Sequence, residues 1–209
     1  MFEILAVDDE RIIRESLAAR ILDKGYRVRM ASSGAQAIDL FREARPDLVL
    51  LDVMMPGIDG YQTCAHLREL DRETPIVFLS ALDSEIDQIR GLEVGADDYV
   101  SKTASDSLLF ARIAKALERA DRFSKSAAPV EMTRTEAGLY RLMDSDRGRY
   151  FSYAKICKAV FGEGYRLDEN AIRVHISNMR KKLPKGEIIE AKRGFGFALK
   201  KKTVMNNPR

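Results

Sequence analysis

Along residues 1–120, short apolar runs alternate with longer amphipathic stretches. The runs are "EILAV" (3–7), "RVRMA" (27–31), "DLVLLD" (47–52), "PIVFLS" (75–80) and "DDYVS" (97–101). They are short and rich in Val, Ile and Leu, and each predicts a strand. Helical patterns lie between them at Arg11–Asp23, Gly34–Ala44, Tyr61–Leu70, Ser84–Val94 and Ser105–Arg119. Regular β–α alternation with short loops predicts an α/β fold, a five-stranded doubly wound parallel sheet with helices on both faces. Ligands of such sheets bind beyond the carboxyl ends of the strands.

The pattern then changes. "RFSKSAAPVE" (122–131) has no periodicity and reads as a linker. This divides the chain into a domain over 1–120, a linker over 121–131 and a second domain over 132–202. The second domain opens on "TRTEAGLYRLMDSD", where Thr133 and Glu136 have capping-box spacing. Further helices are predicted over Ser152–Phe161 and Asp168–Leu183. The tail 186–201 predicts a β-hairpin around Arg193–Gly194.

Composition narrows the class. Of 209 residues, 45% are hydrophobic and 32% charged, as in soluble globular proteins. No apolar run is long enough to span a bilayer, so no membrane partner is expected. The N-terminal "MFEILAVDDER" turns acidic too early for a signal peptide, and a cytoplasmic protein is expected. Cys64 and Cys157 stand far apart and outside any metal-spaced cluster, so both read as reduced thiols. The net charge of +3 conceals an asymmetry. Residues 1–120 carry 15 Lys+Arg against 22 Asp+Glu; residues 121–209 carry 20 against 10. The basic half is a nucleic-acid candidate.

Chemistry concentrates where the predicted strands end. The first ends in Asp8-Asp9 and the third in Asp52. The fourth ends in Ser80-Ala81, and Lys102 follows the fifth. In "VLLDVMMPGIDGY" (49–61) the strand-end acid is followed by Met54 and Met55, both expected at the surface, and by a Pro56-Gly57 turn. A parallel sheet brings these ends to one edge. Clustered carboxylates repel unless a cation neutralises them, and hard oxygen donors in an open pocket suit Mg²⁺. A carboxylate beside a divalent ion and a lysine can act as nucleophile toward a phosphoryl group. Ser80 could donate to the product phosphate, for which Ala81 leaves room.

These residues, in "VDDE" (7–10), "LLDVMMPGIDG" (50–60), "FLSA" (78–81) and "GLEVGADDYVSK" (91–102), resemble the receiver domain of bacterial two-component response regulators. The resemblance implies a strand order of 2-1-3-4-5 and Asp52 as phosphoacceptor. It implies Mg²⁺ held by Asp9, Asp52 and the Met54 carbonyl, with Asp8 acting through water. Ser80 and Tyr99 become a switch pair. A dimer would form on the fourth helix, fifth strand and fifth helix. There Gln88 and Leu108 occupy the places of a common Lys–Glu pair, and Asp98 and Arg112 remain to form a bridge. Thr103 stands where the family usually has proline.

In "ENAIRVHISNMRKKL" (169–183), Ile172, Ile176, Met179 and Leu183 form an apolar stripe at 100° per residue. Asn170, Arg173, Ser177, Arg180 and Lys181 lie opposite, flanked by Val174, His175 and Asn178. With the preceding helix and an Arg-tipped hairpin this outlines a small winged helix-turn-helix. Arg and Asn suit bidentate base contacts, Val174 a thymine methyl, and Arg193 the minor groove. Lys155, Arg180, Lys182 and Lys192 are candidates for phosphate contacts. "RTEAGLYRLM", "IRVHISNMRKKL" and "AKRGFGFAL" are similar to the effector domain of the OmpR/PhoB family. The four-stranded sheet that usually precedes that domain is expected to be missing or reduced to one strand near Val130–Met132.

The resemblance thus implies a non-enzymatic transcription regulator. Its implied partners are a sensor histidine kinase, double-stranded promoter DNA, a second copy of the chain and RNA polymerase. Three rivals fit parts of the sequence. One is a constitutively dimeric regulator that ignores phosphorylation. Another is a phosphohydrolase using Asp8 or Asp52, in which the basic domain has no role. In the third, the basic domain binds RNA or protein.

Overall fold

The computed structural model describes residues 1–82, 84–122, 129, 131–161 and 169–202. The chain divides into two compact units, Met1–Ser124 and Lys125–Arg209.

In the first unit, strands β1 (Glu3–Val7), β2 (Arg27–Ala31), β3 (Leu48–Leu51), β4 (Ile76–Ser80) and β5 (Asp98–Ser101) form one sheet of order β2-β1-β3-β4-β5. Every pairing is parallel. The sheet is covered by α1 (Arg11–Asp23), α2 (Gly34–Glu43), α3 (Gly60–Leu70), α4 (Glu85–Glu93) and α5 (Asp106–Arg122). β3 and β4 are buried along their whole length, as interior strands covered on both faces must be. Strand alternation splits the core in two. Ile4, Ala6, Leu50 and Val77 pack with Leu17 and Ile21 of α1 and Leu109 and Ile113 of α5. Leu5, Val7, Leu51 and Phe78 pack with Phe41 of α2 and Cys64 and Leu67 of α3. Each buried Val, Leu, Ile or Phe among them contributes about 1.5–3 kcal/mol. Side-chain N-caps start three of the helices, with Ser33, Asp59 and Ser84 each accepting a backbone N–H.

In the second unit, α6 (Arg134–Asp144) carries the expected capping box: Glu136 N donates to Thr133, and Thr133 N to the Glu136 carboxylate. α7 (Tyr153–Ile156) runs into a π-helical turn over Cys157–Phe161, and α8 (Glu169–Arg180) follows. β6 (Glu187–Lys192) and β7 (Gly196–Lys201) pair antiparallel around the Arg193–Gly194 turn. Leu139, Met143, Phe151, Ile156, Phe161, Ile172, Ile176, Met179, Phe197 and Leu199 build the core. A Cβ on Gly196 would lie 1.9 Å from the Phe151 carbonyl oxygen, and its φ is +104°, so only glycine lets the hairpin bridge to Phe151.

Several boundaries shift. α5 continues through Arg122, into the stretch expected as linker; residues 123–128 and 130 lie outside the described residues. Glu131 and Met132 form a turn, and among the described residues no strand lies between β5 and β6. The expected Ser152–Phe161 helix is α-helical for one turn only, with Ser152 as N-cap. The third helix stops at Arg180, because the Lys181 and Lys182 amides bond three residues back, to Asn178 and Met179. Asp168 and the "GEGYRL" turn lie outside the described residues. Met55 is buried in the core of the first unit, whereas Met54 is exposed as expected.

Candidate functional site

The carboxyl ends of β1 and β3 bring Asp8, Asp9 and Asp52 together: one oxygen from each lies within 4.8 Å of the others. Asp8 and Asp52 are buried and Asp9 is half-buried. The Lys102 ammonium lies between two of them, 2.7 Å from Asp8 Oδ2 and 2.8 Å from Asp52 Oδ2. Its own backbone N–H donates to the Ser80 carbonyl at 2.8 Å, extending the β4–β5 ladder and aiming the side chain across the pocket.

Burial pushes the Asp52 carboxyl above the usual carboxylate range; Lys102 draws it down by hydrogen bond and charge, and Asp8 pushes it up. Burial lowers the Lys102 value, but hydrogen bonds and attraction from Asp52 and Asp8 outweigh it and leave the ammonium above its ordinary range. Lys102 therefore stays charged. Three carboxylates facing one ammonium leave an excess of negative charge on hard oxygen donors. That donor set fits a small divalent cation such as Mg²⁺.

The loops are fixed by backbone contacts. Arg14 Nη1 donates to the Asp8 carbonyl at 2.6 Å and to that of Asp9 at 3.2 Å. Glu10 N donates to Asp8 Oδ1 at 3.0 Å, and Met54 N to Asp52 Oδ1 at 3.4 Å. After Asp52 the chain turns through Pro56-Gly57 and returns so closely that a Cβ on Gly60 would lie 2.1 Å from the Asp52 carbonyl oxygen. Arg14 carries no motif signal and the sequence reading missed it.

Ser80 is fully buried, and its Oγ accepts the Leu82 N–H at 3.2 Å. Ala81 beside it is exposed. The Tyr99 hydroxyl donates to the Leu82 carbonyl at 2.8 Å, and its ring packs on Phe78, 5.8 Å between centroids. Both expected switch residues thus hold the same residue, Leu82. Of the expected dimer residues, Gln88 and Leu108 are exposed on α4 and α5. Asp98 and Arg112 pair with each other inside one chain at 3.2 Å. Thr103 bonds locally, its Oγ1 lying 2.8 Å from Ser101 Oγ.

In the second unit, α8 exposes Arg173, Ser177 and Arg180, and Lys181 just past its end is exposed too, while Asn170 and Val174 are half-buried. Lys192 and Arg193 are exposed at the hairpin tip. Two residues expected to flank the exposed face are buried, and two expected phosphate contacts are engaged within the unit. Asn178 is buried, because the apolar stripe of α8 is wide enough to include it, and His175 is buried against Phe161. Arg180 is exposed but donates to the Ile189 carbonyl at 2.9 Å, tying α8 to β6. Lys182, past the helix end, lies 2.5 Å from the buried Glu136 carboxylate of α6. Arg173 stacks over Tyr153 and Lys155 over Phe151, at 5.5 and 5.1 Å from the ring centroids.

Comparison with known proteins agrees with both units. The family described as "Response regulator receiver domain" matches residues 4–114, and "Transcriptional regulatory protein, C terminal" matches residues 127–199. A probable transcriptional regulator ycf27 of Porphyra purpurea is 37% identical over 236 aligned positions, covering 98% of this chain and 97% of that protein. Those positions outnumber the 209 residues of this chain, so the relative carries segments that this chain lacks. Response regulator MprA of Mycolicibacterium vanbaalenii is 35% identical over 94% of this chain and 96% of its own length. Among solved structures, the BeF3-activated receiver domain of Klebsiella pneumoniae RstA is 37% identical over 55% of this chain and 97% of that one, with a TM-score of 0.53. A mutant of RitR shares the two-domain fold over 96% of this chain and 100% of that one, with a TM-score of 0.77 at 21% identity.

Proposed function

The chain belongs to the two-component response regulators, a receiver joined to an OmpR/PhoB-type DNA-binding domain in a transcriptional regulator, and from that premise we propose that a phosphoryl group on Asp52 switches its assembly on promoter DNA. The observation that carries this reading is the Lys102 ammonium bridging Asp8 and Asp52, with Asp9 beside them.

An Asp52 oxygen attacks the phosphorus of a phosphohistidine on a sensor kinase. The P–N bond breaks as the new P–O bond forms, and the histidine leaves with a proton in place of the phosphoryl group. Asp9, Asp52 and the Met54 carbonyl would hold Mg²⁺, with Asp8 serving it through water, and the bound ion would neutralise charge at the phosphoryl oxygens. Lys102 transfers its hydrogen bond from the Asp52 carboxylate to a phosphoryl oxygen. Ser80 gives up Leu82 N and donates to another, with Ala81 leaving the space. Leu82 is then released from both partners, and Tyr99 turns inward. The α4–β5–α5 face, including Gln88 and Leu108, docks on a second copy, and the Asp98–Arg112 pair is exchanged across the new interface. Two winged helices then engage adjacent half-sites, with α8 in the major groove and the hairpin at the minor groove. The protein would act in the cytoplasm, with RNA polymerase as a further contact.

Light scattering with Mg²⁺, with and without beryllofluoride, tests the switch. A monomer that becomes a dimer only with beryllofluoride, and only while Asp52 is intact, is the expected result. Exposed Leu108 and the absent Lys–Glu pair favour a second reading, a constitutive dimer. A mass that is dimeric throughout and unchanged by Asp52→Ala would establish it.

A further inference from the structure

Phe195 is the largest apolar side chain left open at the hairpin tip, 57% exposed. It is held in place. Its N–H closes the turn onto the Lys192 carbonyl at 3.0 Å. The Lys192 ammonium lies 4.4 Å from the ring centroid, and the Tyr150 ring packs edge-on at 6.4 Å and 62°. Tyr150 is itself fixed through its hydroxyl by Glu190 and Lys200. Phe195 thus projects as a positioned ring, at a place where solvent exposure gains nothing for stability.

The ring forms one wall of a cavity of about 660 Å³ between α8 and the hairpin. Ser152, Tyr153, Arg173, Lys192 and Arg193 also line it, and Glu169 is the single carboxylate among the described lining residues. Three cations beside an apolar ring complement a polyanion with apolar sugar faces. We propose that Phe195 packs against the deoxyribose wall of the minor groove next to Arg193, and so provides a part of DNA affinity that is insensitive to salt. The proposal rests on the reading of α8 and the hairpin as DNA-contacting elements.

The test uses the full chain with Mg²⁺ and beryllofluoride, and a duplex that the wild-type protein itself selects from a random library. Affinity is read by fluorescence anisotropy across a salt series. Arg193→Ala lowers affinity and flattens the slope of log K against log salt by about one, as for a lost phosphate-neutralising charge. Phe195→Ala lowers affinity about tenfold at every salt concentration with the slope unchanged, within the range of a lost aromatic–nucleotide contact. Phe195→Leu keeps most of the affinity. Melting temperature confirms that the surface variants fold. Phe195→Ala binding as wild type does, or losing affinity only with a flattened slope, overturns the proposal. Wild-type protein that selects no duplex overturns the DNA reading itself, and the two failures are distinct.

Discussion

Arg68 Nη2 and Asp97 Oδ2 form a buried ion pair at 2.7 Å, at the end of the receiver sheet opposite Asp52. Arg68 also donates to the Gly95 and Thr74 carbonyls at 2.8 and 2.6 Å, and Asp97 accepts the Ile76 N–H at 3.0 Å. The pair joins α3 to the starts of β4 and β5. Removing one partner leaves a buried charge without its counterion. Arg68→Ala should cost about 3–5 kcal/mol, measured by urea unfolding of the full chain at neutral pH. A loss below about 1 kcal/mol, the range of exposed pairs, would show that water or a neighbour replaces the contact.

Asp52 has the opposite character, because its setting disfavours its charge. A carboxyl raised above its unfolded value adds stability at pH below that value, and this stability is lost as pH rises through the raised one. Without divalent cations, Asp52→Asn should therefore melt higher than wild type at pH 8, with the gap closing toward pH 4. Adding Mg²⁺ should raise the wild-type melting temperature more than that of Asp52→Asn. Equal metal response in the two proteins would remove Asp52 from the ligand set.

Asp71 titrates the other way. Burial alone would raise it, but Thr74 through side chain and backbone N–H, together with Arg45, holds it below the usual carboxylate range. Its stabilisation is present above the unfolded value and lost as pH falls. Asp71→Asn should leave a flatter acid limb of stability below about pH 4, followed by thermal melts from pH 6 to pH 3.

In the effector unit, Glu136 accepts both the Thr133 N–H and the Lys182 ammonium. Glu136→Ala removes a cap and strands Lys182, and should cost about 2–3 kcal/mol. Thr133→Ala should cost about 1 kcal/mol. A Glu136/Lys182 double-mutant cycle read by urea unfolding should show coupling above about 1 kcal/mol; additive losses would reduce the contact to a surface pair.

Arg173 and Arg180 look equivalent in the sequence but should behave differently. Arg173→Ala should weaken DNA binding by about 1–3 kcal/mol and leave melting unchanged. Arg180→Ala should lower the melting temperature through its lost bond to Ile189. The two variants need only anisotropy and a thermal melt, and a reversed pattern would reverse the assignment.

Most of the receiver was legible in the sequence because parallel strands enforce consequences. Once "EILAVDD" and "DLVLLD" are strands in one sheet, Asp8, Asp9 and Asp52 must meet. What remained hidden depends on reach across the fold. Arg14 anchors Asp8 through backbone carbonyls, which no side-chain pattern reports. Lys182 meets Glu136 across 46 residues, and only the helix end at Arg180 decides that it turns back. Met54 and Met55 are neighbours in sequence, yet the turn after Asp52 sends one outward and the other into the core. In α8, hydrophobic periodicity located the buried stripe but underestimated its width, which is why Asn178 was placed at the surface.

The bond from Arg180 to the Ile189 carbonyl joins the helix and the hairpin at their bases. The two elements then form a caliper with a fixed opening. On the proposed docking, with α8 in the major groove and the hairpin at the minor groove, such a device would measure the distance between adjacent grooves as well as the bases within them. Two DNA sites with identical contacted bases would be told apart when the sequence between them compresses or widens the groove.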